Sequence, residues 1–296
     1  MSTRAQALGL LAAGIALPAC STHRDAVAVG SKNFTEALLL GELYAQLIED
    51  NNHPVRRRLD LGGTDIAMAA LRRGEIDLYP EYTGTALLVV LKAQPQGDAV
   101  QTFDFVKSEY ERLYAATWLD PAPMNNTQAL ATTRALAARY GLRTLSDVAR
   151  KAPQLRLGAV PEFVKRSDGL PGLQRVYGGF SFQKISLIDF GLKYKALLDG
   201  DVDIVVAFGT DGAIVADNLV VMIDDRHLFP PYQVAPVVRL DALKARPELA
   251  GILNRVAPLL TDTTMRTLNN EIDGPQKREP ADVARDFSKA HGLVSL

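Results

Sequence analysis

GEIDLYPEYTGT, Gly74 to Thr85, and GDVDIVVAFGTD, Gly200 to Asp211, decide the fold when they are laid over one another. At an offset of 126 residues Gly74 falls on Gly200, Ile76 on Val202, Asp77 on Asp203, Leu78 on Ile204 and Tyr82 on Phe208. Each stretch reads as a glycine closing a helix, a short apolar β-rich run, an aromatic ring and a glycine turn. The chain describes one structural unit twice.

The surroundings of the two stretches repeat as well. VAVG reads as a strand, TEALLLGELYAQLIED as a helix with Leu39, Leu43 and Leu47 on one face, and RRRLDLGG as a second strand. TDIAMAALRRG is then a second helix closed by Gly74, and EIDLYP a third strand. In the later half LRLGAV, FQKISLID, FGLKYKALLDG and DVDIVVAF answer these elements in order. Strands alternating with helices predict the α/β class, with two lobes that are each a mostly parallel βαβαβ sheet. WLDPAPMNNTQALATT, Trp118 to Thr133, breaks and then leaves as a strand, and HLFPPYQVAPVVR returns. A crossing near Asn126 and a return near Tyr232 give lobe 1 as residues 24–125 plus 233–296 and lobe 2 as 126–232, with the helical tail on lobe 1. Two connecting strands make a hinge, and a hinge implies a cleft that closes.

The composition fits such a molecule. The chain has 296 residues, 47% hydrophobic and 7% aromatic, enough for two medium cores. Lysine plus arginine number 33 against 34 acidic residues, a net charge of -1, so no global field favours nucleic acid or an anionic membrane. The one compact basic run, Arg56 to Arg58, reads as a solvated corner. Arg4, the apolar stretch ALGLLAAGIALP and a small residue before Cys20 have the layout of a secretory signal over residues 1–20, and the apolar run is shorter than the ~20 residues of a membrane span. LPAC resembles the bacterial lipobox, with Pro18 as a departure, so Cys20 is either a lipid anchor or a cysteine that falls near the cut by chance. A single cysteine excludes a disulfide within the chain.

Ligands of open parallel sheets bind beyond the carboxyl ends of strands, where the repeat delivers Tyr82 and Phe208. Pro80 is expected to stop its strand, and Gly84 to let the chain turn toward a helix near Thr85. Two facing rings, with Tyr232 at the hinge as a third, form a cage for a cation such as a quaternary ammonium group. GSKNFTE places Lys32 and Asn33 before a helix N-terminus, which favours an anion. A cage for a cation and donors for a carboxylate together describe a zwitterion.

At the residues VAVGSKNFTE, GGT, LYPEYTGT, WLDPAPMNNTQAL, IDFGLKYKAL, GTDG, DDRHLFPPY and APVVR the chain resembles the substrate-binding proteins of ABC importers for glycine betaine, choline and related osmoprotectants. The resemblance runs over nearly the whole chain from about Val27 and implies a two-lobed, type II periplasmic binding protein. It implies ligand contacts from Tyr82, with Thr85 as a nearby hydroxyl donor, and from Lys32, Asn126, Phe208 and Tyr232, and a carboxylate-binding arginine at Arg166 beside Lys165. It departs from the family at Gln128, where a tyrosine is frequent, and at Phe208, which lacks a hydroxyl. One lost ring weakens a cage by roughly tenfold at ~1 to 2 kcal/mol, so Gln128→Tyr is expected to tighten binding if the ring is what is missing. Gln128 otherwise hydrogen-bonds a hydroxyl, an amide or a carboxylate. The implied partners are a permease with its ATPase, the implied location the periplasm or the outer face of the cytoplasmic membrane, and the implied state a monomer with neither cofactor nor metal.

Other function classes have less support. No H-E-x-x-H, G-x-S-x-G or P-loop motif occurs, and His23, His53, His227 and His291 stand singly. Nothing nominates a nucleophile or a general base for an exported enzyme on this fold. A sensor would need a membrane span or an output domain. A binder of the same fold for another cation or an amino-acid-like zwitterion remains the alternative.

Overall fold

A computed structural model of the chain describes residues 26–94 and 98–295, and the expected signal segment with Cys20 lies outside them. The ten strands among the described residues are β1 (Val27–Gly30), β2 (Val55–Arg58), β3 (Leu78–Tyr82), β4 (Ala116–Trp118), β5 (Gln128–Thr132), β6 (Arg156–Ala159), β7 (Lys184–Leu187), β8 (Ile204–Phe208), β9 (Val220–Val221) and β10 (Val234–Arg239). They make two five-stranded sheets of matching design, β2-β1-β3-β10-β4 and β7-β6-β8-β5-β9. In each sheet three strands run parallel, and the fourth lies antiparallel to the third. That fourth strand, β10 beside β3 and β5 beside β8, is the one that arrives from the other half of the molecule.

The repeated sequence has a repeated job. Gly74 closes the helix α2 (Thr64–Arg73) at φ +71, and Gly200 follows the shorter helix α3 (Lys193–Leu198) at φ +79, a backbone region that glycine enters without the Cβ penalty. Three residues on, Asp77 donates its N–H to the Ala28 carbonyl at 2.7 Å and accepts the Ala28 N–H on its carboxylate at 2.8 Å. Asp203 does the same to Arg156, at 2.8 Å in both directions. Each aspartate therefore pins the first strand of its unit against the entry to the third.

Both faces of each sheet are covered. In β3, Leu78 and Tyr82 join the cluster of Leu39, Leu43 and Leu47 from α1 (Thr35–Asp50), while Tyr79 points into the opposite cluster with Trp118 and Tyr110. In β8, Ile204 and Val206 face one cluster and Val205 and Ala207 the other, as the period of two requires. The final helix, Pro280–Ala290, sets Val283, Ala284 and Phe287 against the α1 cluster. Arg56 to Arg58 form the exposed edge strand β2, where Arg57 pairs with Glu42 and Glu49, and charge on an edge opposes pairing with another chain. Pro80 does not stop β3 as expected: it lies inside the strand opposite Pro236 of β10, a position where neither ring has to donate to its partner. Among the described residues no helix is long and apolar enough to cross a membrane.

The two aspartates are expected to differ in cost. Ala28 is 1% exposed, so Asp77→Ala leaves its N–H unsatisfied and should destabilise by about 1–3 kcal/mol. Asp203→Ala faces a half-buried Arg156 that water can reach and should cost less. Denaturant midpoints at unchanged slope measure both, and equal costs would remove this account of the repeat.

Candidate functional site

The two connecting segments touch where they cross. The Asn126 N–H donates to the Tyr232 carbonyl at 3.1 Å, and the Tyr232 N–H donates to Asn125 Oδ1 at 2.8 Å. Strand register then brings Tyr82 opposite Val234 and Phe208 opposite Gln128, so two strand ends from each sheet converge on the crossing. A cavity of about 90 Å³ lies there, several times the 10–15 Å³ that one water requires on this measure. All eight residues singled out from the sequence line it: Lys32, Tyr82, Thr85, Asn126, Gln128, Arg166, Phe208 and Tyr232.

The rings are arranged differently from a facing pair. Phe34 and Phe190 stand between Tyr82 and Phe208, giving a run of four with centroids 6.0 Å apart for Tyr82 and Phe34, 5.8 Å for Phe34 and Phe190, and 5.9 Å for Phe190 and Phe208. The two inner rings stack across the cleft. Each end of the run already holds an internal ammonium: Lys32 Nζ lies 4.8 Å from the Tyr82 centroid, and Lys193 Nζ lies 4.5 Å from that of Phe208. Beyond Phe34, Phe190 and Phe208 a second, wider chamber of about 560 Å³ opens between α3 and the helix α4 (Asp262–Asp273), and it shares Asn126 with the first.

Charges in the cleft come as pairs. Lys32 Nζ donates to Glu81 Oε1 at 2.6 Å, and Tyr79 and the Tyr82 N–H also donate to that carboxylate. Burial pulls the Lys32 ammonium below its ordinary value against the pull of Glu81. Arg166 forks onto Asp168 at 2.8 and 2.6 Å, Gln128 Nε2 donates to Asp168 at 2.6 Å, and the Tyr232 hydroxyl donates to it too. Desolvation would raise the Asp168 carboxyl, but Arg166 and Tyr232 hold it below its ordinary value. Gln128 is therefore engaged by the protein's own carboxylate. Gln128→Tyr would remove that bond, which corrects the expectation that it simply restores a missing ring. On the other side of Tyr82, Glu36 accepts from the Tyr82 hydroxyl and from Asn126 Nδ2, each at 2.7 Å, and from Asn269 Nδ2 at 2.9 Å. Burial pushes its carboxyl up, against the pull of the Thr210 and Tyr82 hydroxyls and of Asn269. Asn126 Oδ1 is buried with no hydrogen-bond partner among the described residues.

Gly84 has a reason other than the turn expected of it. A Cβ there would meet Tyr232 Cε1 at 2.6 Å and the Pro231 carbonyl at 2.8 Å, so the absent side chain is the seat of the Tyr232 ring. The turn itself is a short helix, Thr83–Thr85, continued by a π-helical turn over Ala86–Val90.

Sequence reasoning missed Phe34, Phe190, Glu36, Glu81 and Asp168. Phe34 and Glu36 lie within GSKNFTE and Glu81 within PEY, beside residues that were chosen, and Phe190 lies three residues before α3, the helix that answers α2. Among the described residues no cluster of His, Cys, Asp or Glu could hold a metal ion.

Comparison with known proteins agrees with this geometry. A family model described as the substrate binding domain of ABC-type glycine betaine transport systems matches residues 25–290. The chain is 34% identical over 278 residues to an ergothioneine transport permease/ergothioneine binding protein of Helicobacter pylori, with 94% of this chain aligned to only 50% of that relative's length. It is also 34% identical to a glycine-betaine-binding protein of Pseudomonas aeruginosa, covering 97% of this chain and 92% of the relative. The crystal structure of a glycine betaine/carnitine/choline ABC transporter superposes with a TM-score of 0.75 at 31% identity, covering 90% of this chain and 99% of the other.

Gly84→Ala tests the seat of the Tyr232 ring. The added methyl has to displace that ring and should destabilise the chain by about 1–3 kcal/mol, as overpacking does. Thermal unfolding reads the cost, and an unchanged midpoint would show that Tyr232 is not held against Gly84.

Proposed function

This chain belongs to the family of substrate-binding domains of ABC-type glycine betaine transport systems, and we propose that it captures a zwitterion carrying a quaternary ammonium group in the cavity at its crossing and delivers it to a permease. The observation that carries this reading is the convergence of Tyr82 and Phe34 from one sheet and Phe190 and Phe208 from the other on a cavity that also holds Lys32 and Arg166. A methylated ammonium makes no strong hydrogen bond, and each ring offers it about 0.5–2 kcal/mol depending on desolvation. Lys32 uses two of its three donors, on Glu81 and Thr64, and Arg166 uses Nε and Nη2 on Asp168, so an N–H from each is left for a carboxylate. Choline has no carboxylate to accept those N–H groups. A zwitterion is favoured over choline on that ground.

The mechanism follows from the topology. Lobe 1, residues 24–125 and 233–296, presents Tyr82, Phe34 and Lys32; lobe 2, residues 126–232, adds Gln128, Arg166, Phe190 and Phe208 when the two segments at Asn126 and Tyr232 bend. Ligand touching both lobes shifts the population toward the closed form. Residues 1–20 direct export to the periplasm or the outer membrane face, with Cys20 as lipid anchor, and the protein works as a monomer beside a permease and its ATPase.

A bulkier betaine is the second reading. The 560 Å³ chamber beyond the rings gives room for a substituent such as the thione-bearing ring of ergothioneine, the compound for which the Helicobacter pylori relative is named.

Calorimetry of the chain from Cys20 onward, unfolded and refolded to strip any carried ligand, tests both readings with glycine betaine, ergothioneine and choline. Glycine betaine is expected to bind with Kd on the order of micromolar, with choline at least roughly tenfold weaker. Tighter binding of ergothioneine selects the second reading, and no heat from any of the three overturns both. Tyr82→Ala should abolish binding, and an unchanged affinity would remove the ring site.

A further inference from the structure

We propose that Glu36 is the counter-charge for the ligand's cation and acts on it through the Tyr82 hydroxyl. The inference rests on the reading that the ligand carries a quaternary ammonium group, and it names the residue that makes the cavity prefer a charged centre over an uncharged one of the same shape.

The argument is a matching of charges. Lys32 is held by Glu81 at 2.6 Å, Arg166 by Asp168 and Lys193 by Asp211 at 2.7 Å, so each of these three cations has its own carboxylate. The other carboxylates around the two chambers, Glu162, Asp199, Asp217 and Asp273, are exposed and solvated. Among the described residues Glu36 has no cation within ion-pair distance, and it is not solvated; the Lys32 ammonium, 4.8 Å from the Tyr82 centroid, is held by Glu81. Glu36 is only 3% exposed, and its hydrogen bonds come from Tyr82, Asn126 and Asn269, all neutral donors. A carboxylate taken out of water without a cation is costly, and it is kept where a counter-charge arrives later.

The position is right for that role. The Tyr82 ring lines the ligand cavity, and its hydroxyl donates to Glu36 Oε1 at 2.7 Å, so a cation against that ring lies one side chain away from the carboxylate. A phenol that donates to a carboxylate carries more electron density on its ring, which strengthens the attraction for a cation in a site of low dielectric. Asn126, which lines the cavity as well, donates to the same oxygen and links Glu36 to the crossing. Glu36 is thus a positioning residue: it orients Tyr82 and Asn126 and biases the cavity toward positive charge.

The test compares glycine betaine with its uncharged-centre isostere 3,3-dimethylbutanoate, in which carbon replaces nitrogen, on wild type, Glu36→Gln and Tyr82→Phe. Wild type is expected to prefer glycine betaine, and Glu36→Gln to reduce that preference by roughly tenfold or more, the size of a single unscreened charge at this range. Tyr82→Phe, which keeps the ring and cuts the relay, should lose part of the preference, and it serves in place of Glu36→Gln should that variant fail to fold. A purely structural Glu36 would instead lower both affinities together and lower the melting point, and that outcome overturns the counter-charge while leaving the function reading standing. A wild type that binds both ligands alike, or neither, overturns the glycine betaine reading and the counter-charge with it.

Discussion

The hydrogen bonds between the two crossing segments are the constraint on which the rest of the molecule depends. The Asn126 N–H holds the Tyr232 carbonyl and the Asn125 side chain accepts the Tyr232 N–H, at the only level where the chain passes from sheet to sheet among the described residues. Each segment then continues as the antiparallel strand beside the third strand of the sheet it enters, β5 beside β8 and β10 beside β3. Because the register is fixed by that pairing, the ring ending each third strand arrives next to the crossing, with Phe208 opposite Gln128 and Tyr82 opposite Val234. The cavity is a consequence of topology before it is a consequence of any particular side chain. A shift of one residue in either pairing would turn Tyr82 or Phe208 to the other face of its sheet and empty the site.

Much of this was legible in the sequence because it rests on local rules that repeat. A glycine closing a helix and an aspartate clamping a strand are each weak signals, but the same pair 126 residues apart specifies two copies of one unit and thereby two sheets. The ring at the end of each third strand follows from the same copy. The reach of these rules also sets where they fail. Phe34 and Phe190 touch although 156 positions separate them, and neither has an echo at the repeat distance, so only the folded geometry brings them together. Gln128 looked like a vacancy in the cage because Asp168, its partner, lies 40 residues away in a loop that no periodicity describes. Gly84 was credited with a turn when its actual contribution is space for a ring that arrives 148 residues later. Pro80 was credited with ending a strand because its partner across the sheet, Pro236, comes from the far side of the second lobe.

The paired charges of the cleft are better understood as specificity than as stability. Burying an ion pair commonly gains no more than a well-packed apolar pair of the same volume would. Three such pairs around one crossing are therefore a poor way to hold two lobes together. They do leave each lobe locally near neutral on its inner face, since every pair is drawn within one lobe: Lys32 with Glu81, Arg166 with Asp168, Lys193 with Asp211. Lobes whose inner cations are already satisfied have little electrostatic reason to close on one another.

That leaves the contacts that do span the lobes, and they are few and directional. The stack of Phe34 on Phe190 joins them through ring faces, Asn126 Nδ2 donates to Glu36 Oε1 at 2.7 Å, and from α4 Arg266 Nε donates to the Gly209 carbonyl at 2.8 Å and Asn269 Nδ2 to the Thr210 carbonyl at 2.9 Å. Asn269 also donates to Glu36, so the contact that fastens α4 to the second lobe converges on the carboxylate behind Tyr82. In this structure that carboxylate is only 3% exposed, which is unfavourable for a charge without a cation and would be relieved by a cation entering against the Tyr82 ring. A binding protein that closed readily when empty would present its transporter with a false signal. On the counter-charge proposal, a charge without a cation at the node where ring, crossing and tail helix meet would make the empty closed form less favourable than the liganded one.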